Sequence, residues 1–243
     1  MFELKFKLKR VEKRAALFLI AFTALALLAY QFKFSMILGV PSQSFSLFQF
    51  LGPIGSQLFS VPLGVASVLV VEIANFAFKG QTLDAMTLLR FFPMAFAAVY
   101  FGFHLKEDKR LRHRAILLVP IACMALFVLH PEGRAAWFYS LFWVIPPVAA
   151  LWFERSLIAR ALGATFTAHA IGATAFLWAF NIPAATWAAL VPITAVERGL
   201  FALGIAASVV AFSTALDAAE HKANWRVPLH YDGRYSLLRI VKA

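Results

Sequence analysis

The stretch Phe45–Phe78, FSLFQFLGPIGSQLFSVPLGVASVLVVEIANFAF, limits what this chain can fold into more than any other. It is apolar enough for lipid, yet Gly52, Pro53, Gly55, Pro62 and Gly64 punctuate its first half. Its second half carries Glu72 and Asn75 with no break around them. Gly and Pro free backbone groups that hydrocarbon cannot satisfy, so such a stretch survives only where protein or a water-filled cavity covers it. A carboxylate further along the same element is costly in lipid and is usually kept for a purpose. The stretch is therefore expected to line a cavity inside a membrane bundle.

The rest of the chain suits a bundle. Of its 243 residues, 62% are hydrophobic and 14% charged. Soluble domains run at about 45–50% apolar and about 25% charged. A helical span takes about 20 residues, so the length admits six to eight spans and leaves no room for a soluble catalytic domain. The expected fold is all-α: a polytopic transmembrane helical bundle with a Gly/Pro-broken second segment. It forms one integral membrane domain, with a basic amino-terminal arm at 1–14, the bundle at 15–213 and a basic cytoplasmic tail at 214–243. Cys123 is the only cysteine, so no internal disulfide forms.

The net charge of +11 resides largely in three runs, Lys5–Arg14, Lys106–Arg114 and Lys222–Lys242. These flank apolar segments, which reads as topogenic charge and contact with anionic membrane lipids. No nucleic-acid recognition module is visible, so nucleic acid is not an expected partner.

Simple spans read as Ala15–Phe32, the opening stretch, Ala85–Leu105, Ala115–Leu129, Ala135–Phe153, Ala161–Phe180 and Ala184–Phe212. The basic segments 106–114, 154–160 and 217–243 want the cytoplasm. Seven simple spans with a cytoplasmic carboxyl end would strand the basic arm outside. Three resolutions are open. Phe45–Phe78 crosses twice, in two pieces meeting near Ser60–Pro62; or the arm is outside; or Ala135–Phe153 does not cross fully, leaving six spans. In every case the chain is a multi-pass protein of the cell membrane.

Several side chains are expensive where they stand. Glu197 and Arg198 lie within the last span, at roughly 2.5–3.5 kcal/mol each on insertion scales. Thr194, Glu197, Phe201, Gly204 and Ser208 share a helix face that is small or polar, and so faces protein or a cavity. Adjacent residues point about 100° apart, so Arg198 is expected to seek a partner on another helix, with Glu72 the candidate. The pair is either structural glue or a ligand contact. Glu72, Asn75 and Lys79 make a second polar stripe, with Lys79 free to snorkel. His169 stands well inside its span, beside a small-residue seam of Ala164, Ala168 and Gly172 that favours close helix contact. Trp143 and Trp187 sit near span ends, as interface belt or as pocket walls.

Other chemistries are missing. There is no Walker A loop, no paired His or Cys metal spacing, no G-x-S-x-G elbow and no HExxH. Nothing assembles a nucleophile with its base, so no enzyme activity and no cofactor are expected.

At this point the chain resembles a known family, the substrate-binding S components of energy-coupling factor vitamin transporters. The likeness rests on the Ala/Leu-rich first span after a basic arm, and on Gly52-Pro53-Ile54-Gly55 followed by Pro62-Leu63-Gly64. It rests also on Phe91-Phe92-Pro93 through Tyr100-Phe101-Gly102, and on Pro192 through Gly204 with Glu197-Arg198. The first span lacks the family's Ala-x-x-x-Ala docking signature. The resemblance implies capture of a vitamin-like small molecule from outside, for uptake driven by a separate transmembrane coupling subunit with two ATPases. It points the pocket to the region 43–49, including Gln49, and to Trp143, His169, Asn181, Trp187 and Glu197. With the charges read above, the candidate ligand-binding set is Gln49, Glu72, Asn75, Trp143, His169, Asn181, Trp187, Glu197 and Arg198. The rival readings are a structural or assembly subunit of a membrane complex, and an intramembrane enzyme acting on a lipid.

Overall fold

The computed structural model describes residues 2–36, 44–80, 83–103, 109–222 and 229–241. Its first element, α1 (Phe2–Tyr30), carries the basic arm and the first apolar run in one uninterrupted helix. Phe22, Ala26 and Ala29 recur at helical spacing and face the bundle, while Leu17, Ile20, Leu25 and Leu28 are exposed on the outside. A short antiparallel ribbon follows, β1 (Lys33–Met36) against β2 (Ser44–Ser46). It is the one departure from the all-α expectation among the described residues. Residues 37–43, which hold most of the expected polar connection, lie outside them.

The Gly/Pro-broken stretch folds as two legs. Its first leg is α2 (Phe48–Leu51) and α3 (Ile54–Leu58), separated at Gly52-Pro53. Its second is α4 (Val61–Phe78), which starts where the Ser60 hydroxyl accepts from Leu63 N–H and Pro62 takes a first-turn position. The chain reverses at Ser60. Phe48 packs on Tyr30 at 5.3 Å between ring centroids, and the Lys79 ammonium stands 5.4 Å over the same Tyr30 ring. The Leu58 carbonyl, at the far end, accepts instead from His230 N–H of the tail. The backbone within 45–78 is therefore a hairpin.

The Gly/Pro-rich half does not line a cavity, as the sequence had suggested. Residues 54–58 are all buried by protein. A Cβ on Gly64 would run into the backbone of Gly55 and Ser56, and one on Gly102 would sit 2.7 Å from Ser56 Cβ. Gly is there for close crossing of backbones. The cavity instead takes Phe45 and Gln49 from before the break and Glu72 from after it.

The next expected span is also two pieces, α5 (Ala85–Arg90) and α6 (Phe92–Gly102), with Arg90 at their junction. Residues 106–108 of the strongest interior charge run lie outside the described residues. After α7 (Lys109–Leu129) come α8 (Pro131–Ala135), a 3-10 segment Trp137–Val144 and α9 (Ile145–Trp152). Helix α10 (Leu157–Phe180) is capped by Ser156 and ended by Asn181, whose left-handed backbone (φ 47°) precedes Pro183. It packs against α6, α7, α9 and α11 (Ala184–Lys222), and is the central post of the bundle.

Arg160, expected in a charged turn, is buried in the first turns of α10. It donates to Gln57 Oε1 at 3.0 Å and lies over the Phe101 ring. The expected seam holds in part. Ala164 and Ala168 are buried, but the closest approach is at Gly163, against which the Tyr100 ring rests while its hydroxyl donates to Pro146 O at 2.8 Å.

Three helical segments are long and apolar enough to cross a membrane: Lys13–Tyr30, Val61–Phe78 and Ala184–His221. Thr87–Gly102, Leu118–Leu129 and Trp137–Trp152 are shorter apolar helical stretches. Outward-facing Val70, Ile73, Leu118, Leu126, Val196 and Leu203 give the bundle the apolar exterior that lipid requires.

The carboxyl tail is folded onto the bundle. Helix α11 runs past the expected end at Phe212, and its buried Asp217 becomes a docking hub. Ser236 donates to Asp217 Oδ2 at 2.7 Å, and Arg239 donates to Oδ1 from Nε and Nη2 at 3.0 and 2.6 Å. Leu237 N–H, at the start of α12 (Leu237–Ile240), donates to Thr214 Oγ1 at 3.0 Å.

Candidate functional site

Two hydrophobic cores share the bundle. One gathers Phe22, Phe48, Phe101 and Ile205; the other gathers Phe127, Trp143, Leu177 and Trp187. A cavity of about 180 Å³ opens where they meet, taking Met94 and Ala168 from the first and Tyr139, Ala173 and Trp187 from the second. A second cavity of about 150 Å³ adjoins it. Tyr30, Ser44, Glu72 and Arg90 line both, so these four form the boundary between an inner chamber and a more polar outer one. Lys33, Asn75 and Lys79 belong to the outer chamber.

Of the nine candidate residues, Gln49, Glu72, His169, Trp187, Glu197 and Arg198 line the inner chamber, and Asn75 lines the outer one. Trp143 and Asn181 line neither. Trp143 is fully buried behind His169, and Asn181 is an exposed helix terminator.

Arg198 is 2% exposed. Its guanidinium carbon lies 4.5 Å from the Phe45 centroid and 4.4 Å from that of Phe201, two rings that meet each other edge-on at 5.2 Å. Stacking of this kind is a favoured use of Arg rather than Lys. Nη1 donates to Thr165 Oγ1 at 3.4 Å, and Glu197 Oε2 stands 3.8 Å from Nη2, an ion-pair separation beyond hydrogen-bonding range. The Nε–H is buried without a partner. The expected Arg198–Glu72 pair does not form: Glu72 Oε2 accepts from the Tyr30 hydroxyl at 3.0 Å. Arg198 was expected to turn away from its sequence neighbour, but the long side chain folds back far enough to approach Glu197.

His169 is held at both nitrogens. The Trp143 indole N–H donates to Nδ1 at 3.2 Å, and Nε2 meets the Tyr139 hydroxyl at 3.0 Å. Tyr139 in turn meets Thr194 Oγ1 at 2.7 Å. Indole N–H can only donate. Nδ1 is therefore an acceptor, the imidazole is neutral, and Nε2 carries the hydrogen it donates to Tyr139. Burial then favours Tyr139 giving its own hydrogen to Thr194, its other neighbour. The sequence pointed to His169 but not to the wall that fixes it.

Sequence reasoning passed over Tyr30, Arg90 and Tyr139 as site residues, and reached Phe45 only through the region 43–49 and Thr194 only as part of a polar helix face, although all five line the inner chamber. Arg90 carried a signal, being a charge inside an apolar span. Phe45 and Tyr139 carried none that separates a pocket wall from ordinary core.

Comparison of the chain with protein-family models, with curated proteins and with solved structures finds no match.

Proposed function

We propose that this chain is a membrane-embedded solute-binding protein, the substrate-binding component of an uptake system for a vitamin-like small molecule. The observation that carries the reading is the inner chamber. It is built from elements spread over the whole chain, from Tyr30 to Arg198, and combines an aromatic and aliphatic wall with a few buried charges. Ligand sites generally have this composition, largely apolar with a small number of placed polar groups.

The layout supports the same reading. In our orientation the legs are α1, α2–α3, α4, α6, α7, the 3-10 segment with α9, α10 and α11, which makes eight passes. Phe22 of α1 packs on Phe59 beside the Ser60 turn and on Phe212, so the basic arm below it points to the end where the tail docks. Both basic termini then share one side, as the positive-inside rule asks. Tyr30, which lines the chamber, and the ribbon lie toward the opposite, outer end. With no ATP-binding loop in the chain, transport would draw energy from a separate coupling subunit and its ATPases.

The test is native mass spectrometry of the protein purified gently from its source membrane, with release and identification of any retained small molecule. A stoichiometric solute supports the reading. An empty protein that arrives with a larger membrane subunit, and binds no solute on addition, refutes it and favours a structural role.

A further inference from the structure

We infer that the inner chamber takes a solute bearing a carboxylate, whose oxygens are bound by the Arg198 Nε–H and the Thr194 hydroxyl hydrogen. This rests on the solute-binding reading above and adds the chemical class of the solute.

The first donor follows from what Arg198 lacks. A guanidinium has five N–H donors and no acceptor. Buried charge is tolerated when it is paired and hydrogen-bonded. Here Cζ lies 4.5 and 4.4 Å from the ring centroids of Phe45 and Phe201, Nη1 has Thr165 at the long distance of 3.4 Å, and the carboxylate beside Nη2 is 3.8 Å away. Nε–H has nothing.

The second donor follows from the hydrogen-bond chain. The donor-only indole of Trp143 forces the first step, in which His169 donates to Tyr139, and burial favours the second, in which Tyr139 donates its own hydrogen to Thr194 rather than leaving it unpaired. Thr194 is left holding its own hydrogen. A helical threonine ordinarily donates that hydrogen to the carbonyl four residues back, as Thr23, Thr167 and Thr214 do here. Thr194 makes no such bond, and it lines the chamber. One helical turn separates it from Arg198, so both present donors on the same face of α11.

The surrounding charge agrees. Lys33, Lys79, Arg90 and Arg198 line the two chambers against Glu72 and Glu197, four cations to two carboxylates. An excess of cations around the two chambers favours an anion there. An apolar wall of Tyr139, Phe176, Trp187, Leu190 and Ile193 is available for the rest of the molecule.

The experiment is titration calorimetry of the detergent-purified full chain with benzoate, its neutral isostere benzamide, benzylamine and inorganic phosphate. Benzoate is expected to bind at least tenfold more tightly than each of the other three. Thr194→Val is expected to erase threefold or more of that preference, and Thr194→Ser to keep it, which separates a lost donor from a lost fold. Benzamide or benzylamine matching benzoate overturns the inference. So does phosphate binding where benzoate does not, absence of benzoate binding, or an unchanged preference in Thr194→Val. The two proposals fail separately. A neutral or cationic solute released from the purified protein removes the carboxylate but leaves solute binding intact, whereas failure of the uptake reading appears as an empty protein with a subunit partner.

Discussion

Replacing Asp217 by Ala should undock the carboxyl tail without unfolding the bundle. Asp217 is 1% exposed, and the hydroxyl of Ser236, itself fully buried, donates to it at 2.7 Å. A hydrogen bond to a charged group contributes about 1.5–3 kcal/mol net, and removing the acceptor leaves a buried hydroxyl unsatisfied at comparable cost. Arg239 adds two more bonds to the same carboxylate, but its side chain is half exposed and its share is screened, so it is left out of the sum. A loss of about 1.5–3 kcal/mol shifts the docked–undocked equilibrium by roughly 10- to 100-fold. Hydrogen exchange at the amides of Arg239, Ile240 and Val241, which donate to the carbonyls of Ser236 and Leu237, reads this directly. Exchange in that segment should accelerate by that factor, while amides in the middle of α10 keep their protection. Arg239→Met should have a smaller effect than Asp217→Ala. Unchanged exchange in Asp217→Ala, or equal acceleration throughout the bundle, would refute the reasoning.

Three further outcomes follow from packing and capping. Gly163→Ala must expel the Tyr100 ring and break its bond to Pro146 O, a net loss of about 2–4 kcal/mol in a thermal or denaturant melt; in a Tyr100→Leu background the same change should be nearly neutral. Gln57→Leu leaves the buried Arg160 Nη2 without its acceptor and should cost about 1.5–3 kcal/mol, more than Arg160→Met, which removes the buried charge itself, as comparative melts of the two variants would show. Glu132 Oε2 accepts from Ala184 N–H at 2.7 Å and so caps α11 from outside the helix; Glu132→Ala should destabilise by about 1–2 kcal/mol, with faster exchange confined to the first turn of α11.

What the sequence disclosed divides along the range of the physics involved. Insertion cost is a property of composition, so the apolar elements and the expense of Glu72, His169, Glu197 and Arg198 were readable without coordinates. The reversal at Ser60 was legible only as one of several options, because charge counting fixes parity and not path. Pairing was misjudged where it depended on reach. Arg198 stacks on rings from residues 45 and 201, and Glu72 answers to Tyr30, contacts that join segments far apart in the chain. The docked tail was invisible for a different reason. Its partners are single polar side chains about twenty residues apart, with no period for a helix or strand pattern to reveal. Trp143 shows the limit most clearly: read as a pocket wall, it stands one layer back and acts on the chamber through His169.

The short leg α2–α3 has a consequence for how the chain is made. From Phe48 to Leu58 it offers about 16 Å of helix at 1.5 Å per residue, roughly half the hydrocarbon thickness of about 30 Å. On the proposed eight-pass topology a nascent segment of that length has no stable resting place in lipid on its own, so it would enter joined to α4 as a helical hairpin. Even then its surroundings are incomplete. α3 is covered by α6 and α2 by α11, and α11 is the last long helix to leave the ribosome. Glycosylation mapping of chains truncated before residue 184 should therefore find residues 48–60 in a mixture of positions that becomes single once α11 is present. Assembly of this protein is, on that account, a closing step that waits on its final helix.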